Sequence, residues 1–152
     1  MATAIPQTED AVNNVLEACR DAEYGFATAA DAIRHNENLK KELMEYSRER
    51  SHFVAELAAA MQENGWTPRQ HGSASGLIHR GWLKLMKIRP DGNERAVLSA
   101  CASGEESAVQ AYAEAAAAPL PTRLADLIAT QYPVVKLTHS RIRNLRDAAE
   151  GM

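Results

Sequence analysis

Apolar side chains recur every three or four residues along four long stretches of the chain, a spacing that places them on one face of an α-helix. Capping residues and helix breakers delimit these stretches, as where Asn64 and Gly65 follow the second of them. No stretch alternates apolar and polar residues as a half-buried strand does. The pattern predicts an all-α protein with helices over residues 8–35, 37–64, 93–118 and 121–149.

The links between these helices differ in length. Residues 65–92 separate the second helix from the third, whereas the other two links are very short. Glycines and prolines interrupt the long link, and only residues 75–88 within it have helical periodicity. A link of this length can run the length of a bundle. We therefore expect a single domain over residues 1–152, a four-helix bundle made of two antiparallel hairpins joined by a crossover that contains a short helix at 75–88.

Composition and charge narrow the classes of partner. The chain has 152 residues, of which 45% are hydrophobic and 24% are charged, so it can bury a full core. A net charge of -3 provides no general attraction for nucleic acid or an anionic membrane. No apolar run reaches the roughly 20 residues that span a bilayer, and the first residues have no signal-peptide pattern. We expect a cytoplasmic protein with no nucleic-acid or membrane partner.

Two glutamates lie where the helical stripes are otherwise apolar. Glu23 follows Cys19 by four residues in the first helix, and Glu105 follows Cys101 by four residues in the third. A buried carboxylate without a partner is costly, so each glutamate needs a cation, a metal ion or a hydrogen-bond donor nearby. The two cysteines are expected to be buried and reduced.

Arg50 is one source of the required cation. It falls on the apolar stripe of the second helix, and a guanidinium binds carboxylates bidentately. The leading interpretation is an internal ion-pair layer that fixes the register of the helices without doing chemistry. We expect this layer to contain Glu23, Arg50, Glu105 and Gln131, and Lys136 and His139 are further candidates for it. Glutamates that lie at the edge of the bundle, in contact with water, are a further alternative.

A metal site is another use of the same carboxylates. In carboxylate-bridged di-metal bundles, two helices supply one Glu each and the other two supply Glu-x-x-His. The fourth helix carries Lys136 where the carboxylate of this motif should stand, and an ammonium group repels a metal ion, so we expect no cofactor. The alternative site would bind iron or manganese in an oxidoreductase or a metal store, and its ligands would be Glu23, Glu49, His52, Glu105 and His139.

The predicted crossover carries a second group of uncommon residues. His79 and Trp82 lie one helical turn apart, with Arg80 between them. Packing is the simpler interpretation, because tryptophan often fills the space where a short helix covers a bundle. The alternative is a binding surface formed by these three residues. No phosphate-binding loop, nucleophile elbow or Cys-x-x-Cys motif occurs, so we assign no catalytic residue.

Several short stretches together carry a resemblance to one family. They are residues 21–26, 53–57, 72–76, 79–82, 104–105, 120–121, 139 and 142–147. Through them the chain resembles an uncharacterised bacterial family of ferritin-like four-helix-bundle proteins, a domain of unknown function, over nearly all of residues 10–148. The resemblance implies a ferritin-like bundle with a crossover, and it implies no established activity.

The leading hypothesis is a small, non-enzymatic, ferritin-like bundle with a regulatory or stress-related role. We expect it to form homo-oligomers through alanine-rich or crossover surfaces. A metal-binding carboxylate protein is the first alternative. The second is a module that binds a small ligand or a protein through the crossover helix.

Overall fold

The computed structural model describes residues 5–70, 81–82 and 93–149, without the side chains of residues 5–7. Four long helices account for most of this part of the chain, and no strand occurs in it. The all-helical prediction is therefore confirmed. Of the short helix predicted at 75–88, only Gly81 and Trp82 lie within the described residues, and both are helical. The four long helices are α1 (Ile5–Ala32), α2 (Glu37–Glu63), α3 (Glu94–Ala116) and α4 (Thr122–Ala148).

Asparagine side chains cap the starts of α2 and α3. Asn36 Oδ1 accepts a hydrogen bond from the backbone N–H of Leu39 at 3.1 Å, and Asn93 Oδ1 accepts one from Ala96 at 2.7 Å. Each cap satisfies a donor that would otherwise lack an intrahelical partner. Gly65 follows the end of α2 with a φ of 78°, a left-handed conformation that glycine adopts without strain. These local signals fix where the two helices begin and where α2 ends.

α1 ends at Ala32, about one turn before the predicted end at residue 35. Ile33 is the first residue after the helix, and its side chain is buried in the core. Lys40 in α2 donates a hydrogen bond from Nζ to the Ala30 carbonyl oxygen at 2.8 Å. A cation is favourable at this position because the carbonyl end of a helix is the negative end of its dipole. The lysine thus closes the first hairpin.

The helices pack around two adjoining hydrophobic clusters. The halves of each helix that contribute to each cluster show in which direction each helix runs. One cluster joins the first halves of α1 and α4 to the second halves of α2 and α3. The other joins the second halves of α1 and α4 to the first halves of α2 and α3. α2 and α3 therefore run in the same direction, opposite to α1 and α4. The α2 and α3 backbones lie at opposite corners of the bundle, and each contacts both α1 and α4.

None of the four described helices combines the length and the apolarity that a membrane-spanning segment requires.

Trp82, in the connection between α2 and α3, fills a slot between α1 and α3. The residue is 7% exposed, and its indole packs edge-on against Phe26 with ring centroids 5.2 Å apart. The slot exists because Gly25 and Gly104 have no side chains. A Cβ atom at Gly25 would lie 2.6 Å from Trp82 Cδ2, and one at Gly104 would lie 2.5 Å from Trp82 Nε1. Trp82 is thus a packing residue.

His79 and Arg80, the other two residues of the predicted binding surface, lie outside the described residues.

We expect Gly104→Ala to lower the free energy of unfolding by about 1–3 kcal/mol, because the new methyl group would overlap the Trp82 indole. Urea melts measure the loss. In a Trp82→Ala background the slot is open, so the same substitution should be neutral or should stabilise by up to about 1 kcal/mol through helix propensity. Equal costs of Gly104→Ala in both backgrounds would contradict this account of the slot.

Candidate functional site

Arg50 and Glu105 form an ion pair in the middle of the core. Both side chains are fully buried. Arg50 donates from Nη1 to Glu105 Oε1 and from Nη2 to Oε2, each at 2.5 Å. This bidentate arrangement gives both carboxylate oxygens a charged donor. Because Arg50 lies on α2 and Glu105 on α3, the pair spans the diagonal of the bundle.

The surroundings of the pair keep the guanidinium charged. Burial alone would lower the pKa of Arg50, but the Glu105 carboxylate more than offsets this effect, so the pKa is raised. Arg50 Cζ also lies 5.6 Å from the centroid of the Phe26 ring, within the range of a cation–π interaction. Arg50 Nε has no hydrogen-bond partner in the described part of the chain. The Arg50 guanidinium therefore stays positively charged, and it contacts the Glu105 carboxylate and the face of the Phe26 ring.

A chain of hydrogen bonds crosses the core beside this pair. Cys19 Sγ lies 3.1 Å from Tyr112 Oη, and Tyr112 donates to Gln131 Oε1 at 2.7 Å. Gln131 Nε2 in turn donates to Glu56 Oε1 at 3.0 Å. Tyr112 uses its only hydrogen on Gln131, so the Cys19 thiol must donate to Tyr112 Oη. The chain takes one residue from each helix and ends at the exposed Glu56.

The buried thiols and the buried tyrosine hydroxyl near the ion pair hold their protons at neutral pH. Burial raises the pKa of Cys19 to about 11, although the charge of Arg50 acts in the opposite direction. Burial likewise raises the pKa of Tyr112 well above its usual value. Cys101 is also a free, buried cysteine, and burial and then the charge of Glu105 raise its pKa. Since the thiolate is the nucleophilic form, neither thiol is a reactive group at neutral pH.

Glu23 does not belong to this layer, in contrast to the prediction. Its side chain is only partly buried, and the fully buried position on this turn is Ala22. The residue three positions after Cys19, Ala22, faces the core here, whereas the prediction placed the residue four positions after it, Glu23, in the core. α1 and α2 also approach each other closely at this turn, as a hydrogen bond shows: Ser47 Oγ donates to the Glu23 carbonyl oxygen at 2.7 Å. Arg50 therefore pairs with one carboxylate instead of two.

The residues of the predicted metal set do not come together. Glu49 is partly buried, His52 is exposed, and His139 lies partly buried in a groove between α3 and α4. Both oxygens of Glu105 accept hydrogen bonds from Arg50. Across residues 5–70, 81–82 and 93–149, no three His, Cys, Asp or Glu side chains are placed so that they could hold a metal ion.

Lys136 faces away from the interior. It is exposed, and its Nζ lies 4.3 Å from the centroid of the Tyr132 ring one turn earlier. α4 continues without a break through Pro133, which also lies on the exposed side. A proline cannot donate the backbone hydrogen bond of its turn, and on the exposed side of a helix water can hydrate the carbonyl oxygen left without that donor.

Two residues of the polar layer were missed by sequence reasoning, Tyr112 and Glu56. A tyrosine on an apolar stripe was the available signal, because a buried hydroxyl group needs a hydrogen-bond partner. The identity of the partner depends on the rotation of α4 relative to α3, which the spacing of residues does not specify.

The family model described as "Domain of unknown function (DUF2383)" matches residues 7–118. The chain belongs to this family. The DUF2383 match contains α1 from residue 7 onward, α2 and α3, and with them the Arg50–Glu105 pair, while α4 with Gln131 lies beyond it. The comparison with curated proteins gives no match.

Replacing Arg50 in this DUF2383 protein with methionine leaves the buried Glu105 carboxylate without its cation. We expect the free energy of unfolding to fall by about 3–5 kcal/mol. The double variant Arg50→Met/Glu105→Leu removes both charges and should recover most of this loss. Urea melts of the three proteins measure the effect.

Arg141→Met is the matched control, since Arg141 pairs with Glu42 at the surface and its loss should cost under about 1 kcal/mol. Equal losses for Arg50→Met and Arg141→Met would show that the buried pair has no special role in stability.

Stability should fall as the pH rises from about 9 to about 11. The pKa of Cys19 is raised from 9.0 to about 11 by burial, so the folded state binds the thiol proton more tightly than the unfolded state does. The contribution is complete below pH 9 and declines by up to about 1.4 kcal/mol per pH unit above it. Urea melts at a series of pH values should show a shallower decline for Cys19→Ala, and an unchanged decline would count against a buried thiol.

Proposed function

We propose that this protein is a ferritin-like bundle with a regulatory or binding role, in which an ion pair occupies the space that related bundles use for two metal ions. The observation that carries the proposal is the bidentate, fully buried pair of Arg50 and Glu105. The shared direction of α2 and α3, with a long connection between them, supports the ferritin-like arrangement of two hairpins joined by a crossover.

The chemistry of the pair favours a structural task for the interior. A guanidinium does not release its proton in proteins, and it is not a metal ligand. Glu105 is the one carboxylate of the predicted set that is fully buried, and both of its oxygens are already engaged. With its thiols protonated, the part of the core that the structure describes offers neither an acid–base pair nor a nucleophile at neutral pH.

The polar layer is well suited to fixing one arrangement of the helices. The ion pair can form only when α2 and α3 are correctly aligned along the bundle axis. The hydrogen bonds that run from Cys19 to Glu56 also require α1 and α4 to be correctly placed. In this bundle, the buried polar groups would select one packing among several that an apolar core would treat as nearly equal. A bundle fixed in this way presents a defined surface, and the proposed role is exercised through that surface.

Metal content tests the proposal directly. Protein purified from cells supplied with iron and manganese should contain far less than one metal ion per chain, because the Arg50 cation lies where a metal would need Glu105. Elemental analysis provides the measurement. Near-stoichiometric metal that is lost in Glu105→Gln but retained in Glu114→Gln, an exposed glutamate of the same helix, would overturn the proposal.

A further inference from the structure

An open polar groove of about 570 Å³ lies between α3 and α4, on the outside of the bundle. This volume is within the range of small-molecule sites, about 300–1,000 Å³. The groove is separate from the buried ion pair. Its polar lining consists of Ser99, Ser103 and Glu106 from α3, and His139, Arg143 and Arg146 from α4.

Helical spacing brings these side chains to one place. On each helix the three residues are separated by steps of four and three, which keeps them on one face. The helices are antiparallel, and Arg95 Nη1 donates to the Arg146 carbonyl oxygen at 3.2 Å, which sets the register. Ser99 therefore shares one end of the groove with Arg143 and Arg146, and Glu106 lies toward the other end.

The two ends carry opposite charge. Arg143 is exposed and has no ion-pair partner among the described residues. Arg146 Nε pairs with Asp147 at 3.1 Å, which leaves the rest of its guanidinium without an ion-pair partner in that part of the chain. Glu106 is exposed at the opposite end, and His139 lies between them, where the charges of the buried Glu105 and of Arg143, Glu106 and Arg146 all act on it. The groove is thus positive at one end and negative at the other.

We infer that this groove binds a small molecule that carries an oxyanion group, a carboxylate or a phosphate. Arg143 and Arg146 would hold the oxyanion through charge-assisted hydrogen bonds, and the Ser99 and Ser103 hydroxyl groups would donate to its remaining oxygens. Glu106 would repel a second negative group and accept a hydrogen bond from an amine. A ligand with an amine at one end and an oxyanion at the other matches both ends.

This inference does not depend on the interior of the bundle. Glu105 and Glu106 are adjacent in α3 but face the core and the surface respectively. Metal found in the core would therefore leave the groove proposal intact, and failure of the groove to bind would leave the role of the ion pair intact.

Titration of the ¹⁵N-labelled full chain with 4-aminobutyrate, acetate, inorganic phosphate and butylamine tests the inference by NMR. We expect saturable shifts of the Ser99, Ser103 and Arg143 amide signals with 4-aminobutyrate, and weaker binding of acetate because it has no amine for Glu106. Comparison of acetate with phosphate identifies which oxyanion the groove prefers. Butylamine alone should not shift the signals at the arginine end.

Arg143→Gln should weaken 4-aminobutyrate binding about tenfold or more, since it removes a charge-assisted contact. Arg123→Gln is the matched control, because Arg123 is also exposed on α4 but lies at the other end of the helix near Glu63. The Arg123→Gln variant should bind 4-aminobutyrate with the same affinity as the unmodified protein. Both substitutions are at exposed positions, and urea melts would verify that the fold is unchanged.

Three outcomes would overturn the inference. The first is equal weakening by Arg143→Gln and Arg123→Gln, which would indicate nonspecific attraction by surface charge. The second is shifts that occur only outside the groove. The third is the absence of saturable shifts with all three oxyanion probes.

Discussion

The ion pair between Arg50 and Glu105 is the interaction on which the arrangement of the four helices depends. Each charge alone would be costly in the apolar core, and the cost is offset only when the two side chains meet with bidentate geometry. The two residues lie on the diagonal helices α2 and α3, one from each hairpin. A shift of one hairpin along the other would separate the charges, so the pair fixes the height at which the hairpins pack.

Phe26 connects this electrostatic constraint to the packing of the connection between α2 and α3. Its ring lies 5.2 Å from the Trp82 ring on one side and 5.6 Å from the Arg50 guanidinium carbon on another. Trp82 can reach Phe26 only because Gly25 and Gly104 leave a slot between α1 and α3. The absence of side chains at two positions therefore determines how the connection meets the core, and one aromatic ring contacts both that connection and the buried cation.

The polar groups of the interior are engaged with one another, whereas the residue that follows Glu105 in α3 faces the surface. Apart from Arg50 Nε, the groups of the polar layer bond to one another: the carboxylate to the guanidinium, the hydroxyl to the amide, and the thiol to the hydroxyl. Groups engaged in this way make the core rigid and specify one packing. On the next residue of α3, Glu106 turns outward into a groove with arginines at its other end. The buried ion pair and the proposed ligand groove thus lie on opposite faces of one helix.

The sequence by itself determined the four long helices of the described residues and their approximate limits, because hydrophobic periodicity and capping are local properties of the chain. It also placed Arg50 and Glu105 on inward stripes. Only the tertiary structure decided which glutamate meets the arginine, since spacings of three and four from Cys19 are both compatible with an inward face. Close contact of α1 and α2 at Ser47 places Ala22 in the core and leaves Glu23 at its edge. The Cys19–Tyr112–Gln131 hydrogen bonds likewise require the rotation of three helices relative to one another, which is a property of packing and not of spacing.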